Sequence, residues 1–187
     1  GLSKRHDDEE IYTVPNYIDD MDAVIKHYRR DEDQQLIILG HSWGGMLAAG
    51  YVSLYPEVVD GLIMAEAGGL TYDQMIDYVK RQNKVDYFAE ATNDAIFPEQ
   101  IFAGRSEHEI LDYKHMFWTQ YENAEGNKTG NEGTAPYWRS GAVAYSGSHK
   151  YASDHGFDFT TNLNNYNKPI LFIYSELNEA FGKELAE

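Results

Sequence analysis

The chain has 187 residues, 42% of them hydrophobic and 25% charged, which is enough for a globular core and too apolar for a disordered tail. A net charge of -16 disfavours a nucleic-acid surface, and no apolar run approaches the ~18 residues of a membrane span. With no cysteine, the chain offers no disulfide, zinc–thiolate site or thiol nucleophile.

Residues 1–10, GLSKRHDDEE, are polar and do not read as a secretory signal; the expectation is a soluble protein of the cytoplasm or periplasm, with composition choosing neither. Residues 15–30, PNYIDDMDAVIKHYRR, set Ile18, Met21, Ile25 and Tyr28 on one helical face, with Asn16 as the expected N-cap. Acids sit early in this segment and bases late, as the helix dipole prefers. Asp31-Glu32-Asp33 reads as a solvated turn. Leu36-Ile37-Ile38-Leu39 is wholly apolar, the pattern of a strand covered on both faces. In GHSWGGMLAAGYVSLYPE, the residues Met46, Leu47, Gly50, Tyr51 and Leu54 recur at helical spacing until Pro56 closes the element. Val58 to Ala65 gives a second buried strand. Strands joined through a helix are parallel, so the expected fold class is α/β.

Residues 70–165 are rich in aromatics and carry amphipathic helices near 71–82 and 106–121, with a Gly/Asn-rich loop at 123–133. Pro169 to Tyr174, PILFIY, then resumes the buried-strand pattern. The expected layout is a parallel α/β core, 1–69 and 166–187, interrupted by a mainly helical cap insertion, 70–165.

Gly40-His41-Ser42-Trp43-Gly44 fits G-x-S-x-G, the nucleophile elbow. A serine on a sharp strand-to-helix turn is held in a strained backbone conformation. The glycines two residues before and after it are expected to remove clashing Cβ atoms. Ser42 Oγ then projects above the strand end, and the Trp43 amide opens a helix N-terminus that can stabilise an oxyanion. The pattern alone arises by chance in roughly one chain in twenty of this length. Here it directly follows an apolar strand and directly opens a helix, the context the motif requires.

With GHSWGG, small residues after it and Tyr-Pro at the helix end, the sequence resembles the α/β-hydrolase fold, and within it the proline iminopeptidase branch of serine aminopeptidases. Gly1-Leu2-Ser3 resembles the tail of that family's G-x-G-x-S segment after the fourth strand. Trp118-Thr119-Gln120-Tyr121-Glu122 resembles its cap-helix W-x-x-W-E, and Ser175 to Glu179, SELNE, its G-x-x-D-E turn after the seventh strand. The resemblance implies that Glu122 and Glu179 bind the substrate's free α-amino group. Trp118, with Phe117 and Tyr121, would wall the pocket, although such an aromatic stripe also reads as core.

The resemblance also implies an order of serine, acid, histidine, yet His6, His27, His41, His108, His115, His149 and His155 all precede the expected seventh strand. The general base is therefore expected beyond Glu187, and the loop giving a second oxyanion donor is expected before Gly1 with the first four strands; residues 1–187 are expected to be an internal portion of a longer protein and inactive alone. Asn178 stands where the family carries Asp. A neutral amide cannot stabilise imidazolium, so the acid is assigned to Glu66, at the C-terminal end of the strand before Ala67-Gly68-Gly69, a segment expected to be flexible; Glu176 is the second candidate.

His108, Asp112 and His115 share a helical face, but such spacing is common on exposed helices, and neither metal nor organic cofactor is expected. His41, beside the nucleophile, is expected to pack or bond backbone. The first functional reading is a serine aminopeptidase acting on a small peptide or amide. The alternatives are an esterase or amidase with the same triad, and a non-catalytic binder of a small ligand, which Asn178 favours.

Overall fold

The computed structural model describes residues 3–4, 6, 8–31, 33–82, 106, 108–112 and 141–178. Helix α1 (Val14–Tyr28) begins one turn earlier than its apolar stripe suggests. Its cap is Thr13, whose Oγ1 accepts from Asn16 N at 3.2 Å, and Pro15 occupies the first turn, where a missing N–H costs nothing. Asn16 is thus inside the helix, its Nδ2 donating back to Ile11 O at 2.7 Å. Tyr28, expected on the buried face, is 71% exposed, with its ring against His27 at the solvent end of the helix.

Strand β1 (Ile37–His41), helix α2 (Trp43–Leu54) and strand β2 (Gly61–Ala65) form a β-α-β unit in which the two strands are parallel and His41 lies opposite Ala65. Helix α3 (Tyr72–Gln82) follows; residues 108–112 are helical, and helix α4 (Ala142–His155) leads to strand β3 (Ile170–Ile173). The sheet order is β1-β2-β3, all parallel, as the helical crossovers require.

Helix α2 is apolar all round because it is sandwiched between the sheet and α1, so Met46, Ala48, Ala49, Tyr51 and Val52 are all buried. The buried Tyr51 hydroxyl donates to Asp22 Oδ1 at 3.0 Å, and Lys26 holds the other carboxylate oxygen at 2.6 Å. Burial, then the hydrogen bond to Asp22 and the Asp22 charge, push the Tyr51 phenol well above its usual range.

Among the described residues, only one face of the strands is covered, where the apolar runs suggest cover on both. Ile38, Gly40, Leu62 and Met64 lie beneath α2, whereas Ile37 and Leu39 on the opposite face are 62% and 66% exposed. Leu171 and Ile173 of β3 are likewise open, at 53% and 48%. A pleated strand sends alternate side chains to opposite faces, and among the described residues α2 covers the face of Ile38 and Leu62. β2 also starts later than expected: Val58 and Val59 belong to the turn before it.

Asp60 pins the N-terminal ends of the strands together. Its N–H donates to Leu36 O at 2.7 Å, Oδ2 accepts from Leu36 N at 2.9 Å, and Oδ1 meets Lys168 Nζ at 3.2 Å. The Leu36 amide first, and then Lys168, hold the Asp60 carboxyl below its usual range. A depressed carboxylate stabilises the fold above its unfolded pKa, about 4, and that stabilisation is lost as pH falls through the folded value. Asp60→Asn should therefore lower the denaturation midpoint at pH 7 and flatten its fall between about pH 5 and 3. An unchanged acid limb would show that Asp60 does not carry it.

Candidate active site

β1 ends at His41 and α2 starts at Trp43, leaving one residue for the entire reversal. That residue, Ser42, has φ 53 and ψ -124, a conformation L side chains rarely adopt. Its N–H continues the ladder to Ala65 O at 2.8 Å, and its carbonyl accepts from Gly45 N at 3.0 Å and Met46 N at 3.3 Å. The Trp43 and Gly44 amides lie ahead of these in the first turn, where helical amides lack intrahelical acceptors and the helix dipole is positive. The Ser42 side chain is exposed and makes no cap bond to α2, so its hydroxyl is available.

The glycines around Ser42 are not equivalent. A Cβ on Gly40 would fall 2.2 Å from Gly44 O, a backbone atom that cannot yield without unwinding the turn. A Cβ on Gly45 would meet Gly40 O at 3.0 Å and the Ala67 Cβ at 3.2 Å. Gly44, expected to relieve a clash, relieves none: among the described residues, no atom beyond its chain neighbours and the backbone of its own helix lies within 4 Å of where its Cβ would stand. Gly40→Ala should cost about 3 kcal/mol or more, read as a lower urea midpoint. Gly44→Ala, inside a helix, should be neutral or gain up to about 1 kcal/mol. Equal midpoints for the two variants would contradict this contrast.

Glu66 directly follows β2 just as Ser42 directly follows β1, and it too has a positive φ, 52. Ser42 and Glu66 are the only non-glycine residues with positive φ among the described residues. Since His41 pairs with Ala65, they stand on neighbouring strands, roughly 4.8 Å apart in the ladder direction. The Glu66 carboxylate is partly buried: Oε1 accepts from the Ser175 amide, and Oε2 accepts from Asn178 Nδ2 at 2.6 Å. Asn178 is only 8% exposed and also bonds the Tyr78 hydroxyl of α3. Burial pushes the Tyr78 phenol up, and the Glu66 charge adds to this. Glu176, the second acid candidate, is exposed.

Ala67-Gly68-Gly69, expected to be flexible, is buried and tightly packed. A Cβ on Gly68 would lie 3.1 Å from Tyr78 Cδ1, and Gly69 at φ 121 lies where a Cβ would be 2.5 Å from Gln74 Cβ. These glycines bring α3, and with it Tyr78, close to the strand end.

The Trp43 ring packs on Phe157, with centroids 5.6 Å apart, and on Phe159 at 6.4 Å; Phe157 and Phe159 stack at 4.7 Å. Both phenylalanines lie in the segment that returns to the sheet from α4. That segment pairs with the outgoing one: Phe159 N donates to Leu70 O at 2.9 Å and Tyr72 N to Phe157 O at 3.0 Å. Gly50 makes room for the Phe159 ring, which a Cβ there would meet at 2.6 Å. The residue following the serine is thereby fixed by the paired segments at 70–72 and 157–159.

His41 is exposed at the strand end rather than packed. Asp112 is engaged with backbone amides. It is buried, and its Oδ1 accepts from Gly141 N at 2.8 Å and Ala142 N at 2.9 Å, capping α4. No group of three metal-ligating side chains occurs among the described residues. His115, Phe117, Trp118, Tyr121, Glu122, the loop at 123–133 and Glu179 lie outside the described residues. The partners missed by sequence reading are Ser175 and Tyr78 on the Glu66 side and Phe157 and Phe159 beside Trp43; no local pattern marks them, because each contact joins distant segments.

A family model described as the alpha/beta hydrolase fold matches residues 1–186. The proline iminopeptidase of Lactobacillus helveticus is 26% identical over 91% of this chain and 58% of its own length. That of Elizabethkingia meningoseptica is 30% identical over 56% of this chain and 35% of its own. A cis-3-alkyl-4-alkyloxetan-2-one decarboxylase of Shewanella oneidensis is 38% identical over 36% of this chain and 21% of its own. The chain thus spans less than two thirds of each of these relatives. With its parallel sheet and strand–turn–helix serine, the chain belongs to the α/β-hydrolase fold family.

Proposed function

We propose that residues 1–187 form part of a serine hydrolase, of the aminopeptidase kind, that releases an N-terminal residue such as proline from small peptides or amides. The observation that carries this reading is the pair of strained residues, Ser42 and Glu66, at the C-terminal ends of adjacent parallel strands. Non-glycine residues persist in such conformations at a cost of about 1–3 kcal/mol and cluster at functional sites. Ser42 attacks the carbonyl, and a histidine outside these residues takes its proton. Glu66 orients that histidine and stabilises its imidazolium. The Trp43 amide, at the helix N-terminus, is one oxyanion donor. The insertion at 70–165 acts as the cap over this site.

The choice of an aminopeptidase rests on the relative that matches most of the chain, and on Glu122, Glu179 and Trp118 as substrate-binding residues. Two carboxylates facing one ammonium would place the first peptide bond at Ser42. No cofactor enters the reaction. In the whole protein, a prolyl arylamide should be cleaved at least about 100-fold faster than its N-acetyl derivative, because acetylation removes charge-assisted hydrogen bonds. Equal rates would replace this reading with that of an esterase or amidase lacking an amine anchor.

A further inference from the structure

We propose that Asn178 is a positioning residue for Glu66, and that the two side chains form an amide–carboxylate pair holding a single negative charge for the site. The proposal rests on Glu66 being the acid of the reading above.

Glu66 is the first residue beyond β2, its N–H donating to Ile173 O at 2.8 Å, so its backbone is locked into the ladder. The chain leaving β3 then folds back on itself. Asn178 N donates to Ser175 O and Leu177 N to Ser175 Oγ, both at 3.1 Å. This turn aims two donors at one carboxylate: the Ser175 amide at Oε1 and Asn178 Nδ2 at Oε2, 2.6 Å away. A carboxylate has about four lone-pair positions, so about two remain for an imidazole N–H.

The chemistry explains why an amide stands here. A second carboxylate 2.6 Å from the first would repel it. Asparagine keeps the size of aspartate but presents N–H₂ to Glu66, and only that orientation avoids oxygen facing oxygen. Tyr78 bonds the same buried side chain, so the amide is held between strand end and α3. Asn178 has no charge to lend an imidazolium. What it can do is keep the Glu66 carboxylate in one rotamer, pointing where the neighbouring serine needs its base.

The test uses the whole protein and prolyl-arylamide hydrolysis, with thermal melting to confirm folding. N178A should lower kcat by about 10- to 100-fold, as loss of a supporting hydrogen bond to a functional group does, while KM stays within about twofold. N178D should also be impaired and should shift the acid limb of the pH–rate profile upward, because two adjacent carboxylates retain a proton. The decisive variant is E66Q/N178D, which returns an amide–carboxylate pair with the charge moved to the other strand. It should be at least about tenfold more active than E66Q alone, because the pair again holds one negative charge. A kcat for N178A equal to wild type, or a double variant no better than E66Q, overturns the proposal. Should N178A fail to fold, the double variant decides. Wild-type activity in E66Q would instead remove Glu66 as the acid, and the reading beneath the proposal with it.

Discussion

Ser42→Ala should abolish hydrolysis by the whole protein, lowering kcat by about 10⁴- to 10⁶-fold, while leaving the melting temperature unchanged or raised. The large loss follows from the proposed role of the hydroxyl as nucleophile, without which only the proposed oxyanion donor and substrate binding would remain. Stability should hold because the Ser42 side chain is exposed and bonds nothing in α2. The backbone strain at φ 53 is not relieved by alanine, which keeps the Cβ. Ser42→Gly, by contrast, should be equally inactive and measurably more stable, by about 1 kcal/mol, because glycine adopts positive φ without penalty. Labelling by a fluorophosphonate should be lost in both variants. Persistent labelling would identify another nucleophile.

If Glu66 is the acid proposed above, Glu66→Gln should lower kcat by about 10⁴-fold, the loss seen when a triad acid becomes an amide and the imidazole takes the wrong tautomer. It should also cost some stability. The new amide would present its N–H₂ to either the Ser175 amide or Asn178 Nδ2, both of which are donors. One donor is then left opposite another, at a penalty of about 1–3 kcal/mol. Glu176→Gln should change neither activity nor melting temperature, since Glu176 is exposed and lies outside this arrangement. The reverse ranking would move the acid to Glu176 and leave Glu66 as a strained structural residue.

The elbow is legible in the sequence because everything it needs is local. A wholly apolar strand, one serine and a helix with glycines at its start are consecutive in the chain, and their spacing leaves a single residue for the turn. Glu66 is legible for a related reason: it is the first polar residue after an apolar strand, so it lands at the sheet edge where parallel strands deliver their ligating residues. Helix α4 escapes such reading, since AVAYSGSHKYASDH has no apolar stripe. It buries Ala142, Val143, Gly147 and Ala152, small residues whose contribution is close approach rather than hydrophobic periodicity.

By itself, then, the sequence determined the α/β class, the parallel crossovers and the positions of Ser42 and Glu66, because these depend on residue order along short segments. Tertiary structure alone decided which face of the sheet α2 covers, since Leu39 and Ile38 are equally apolar and, among the described residues, α2 distinguishes them. It alone showed that Gly68 and Gly69 pack rather than flex, and that Asp112 caps a helix. It alone brought Asn178 against Glu66 across 112 residues of chain. A hydrogen bond between such distant residues leaves no periodicity in the sequence; it exists only because β2 and β3 lie side by side and release both residues at the same edge.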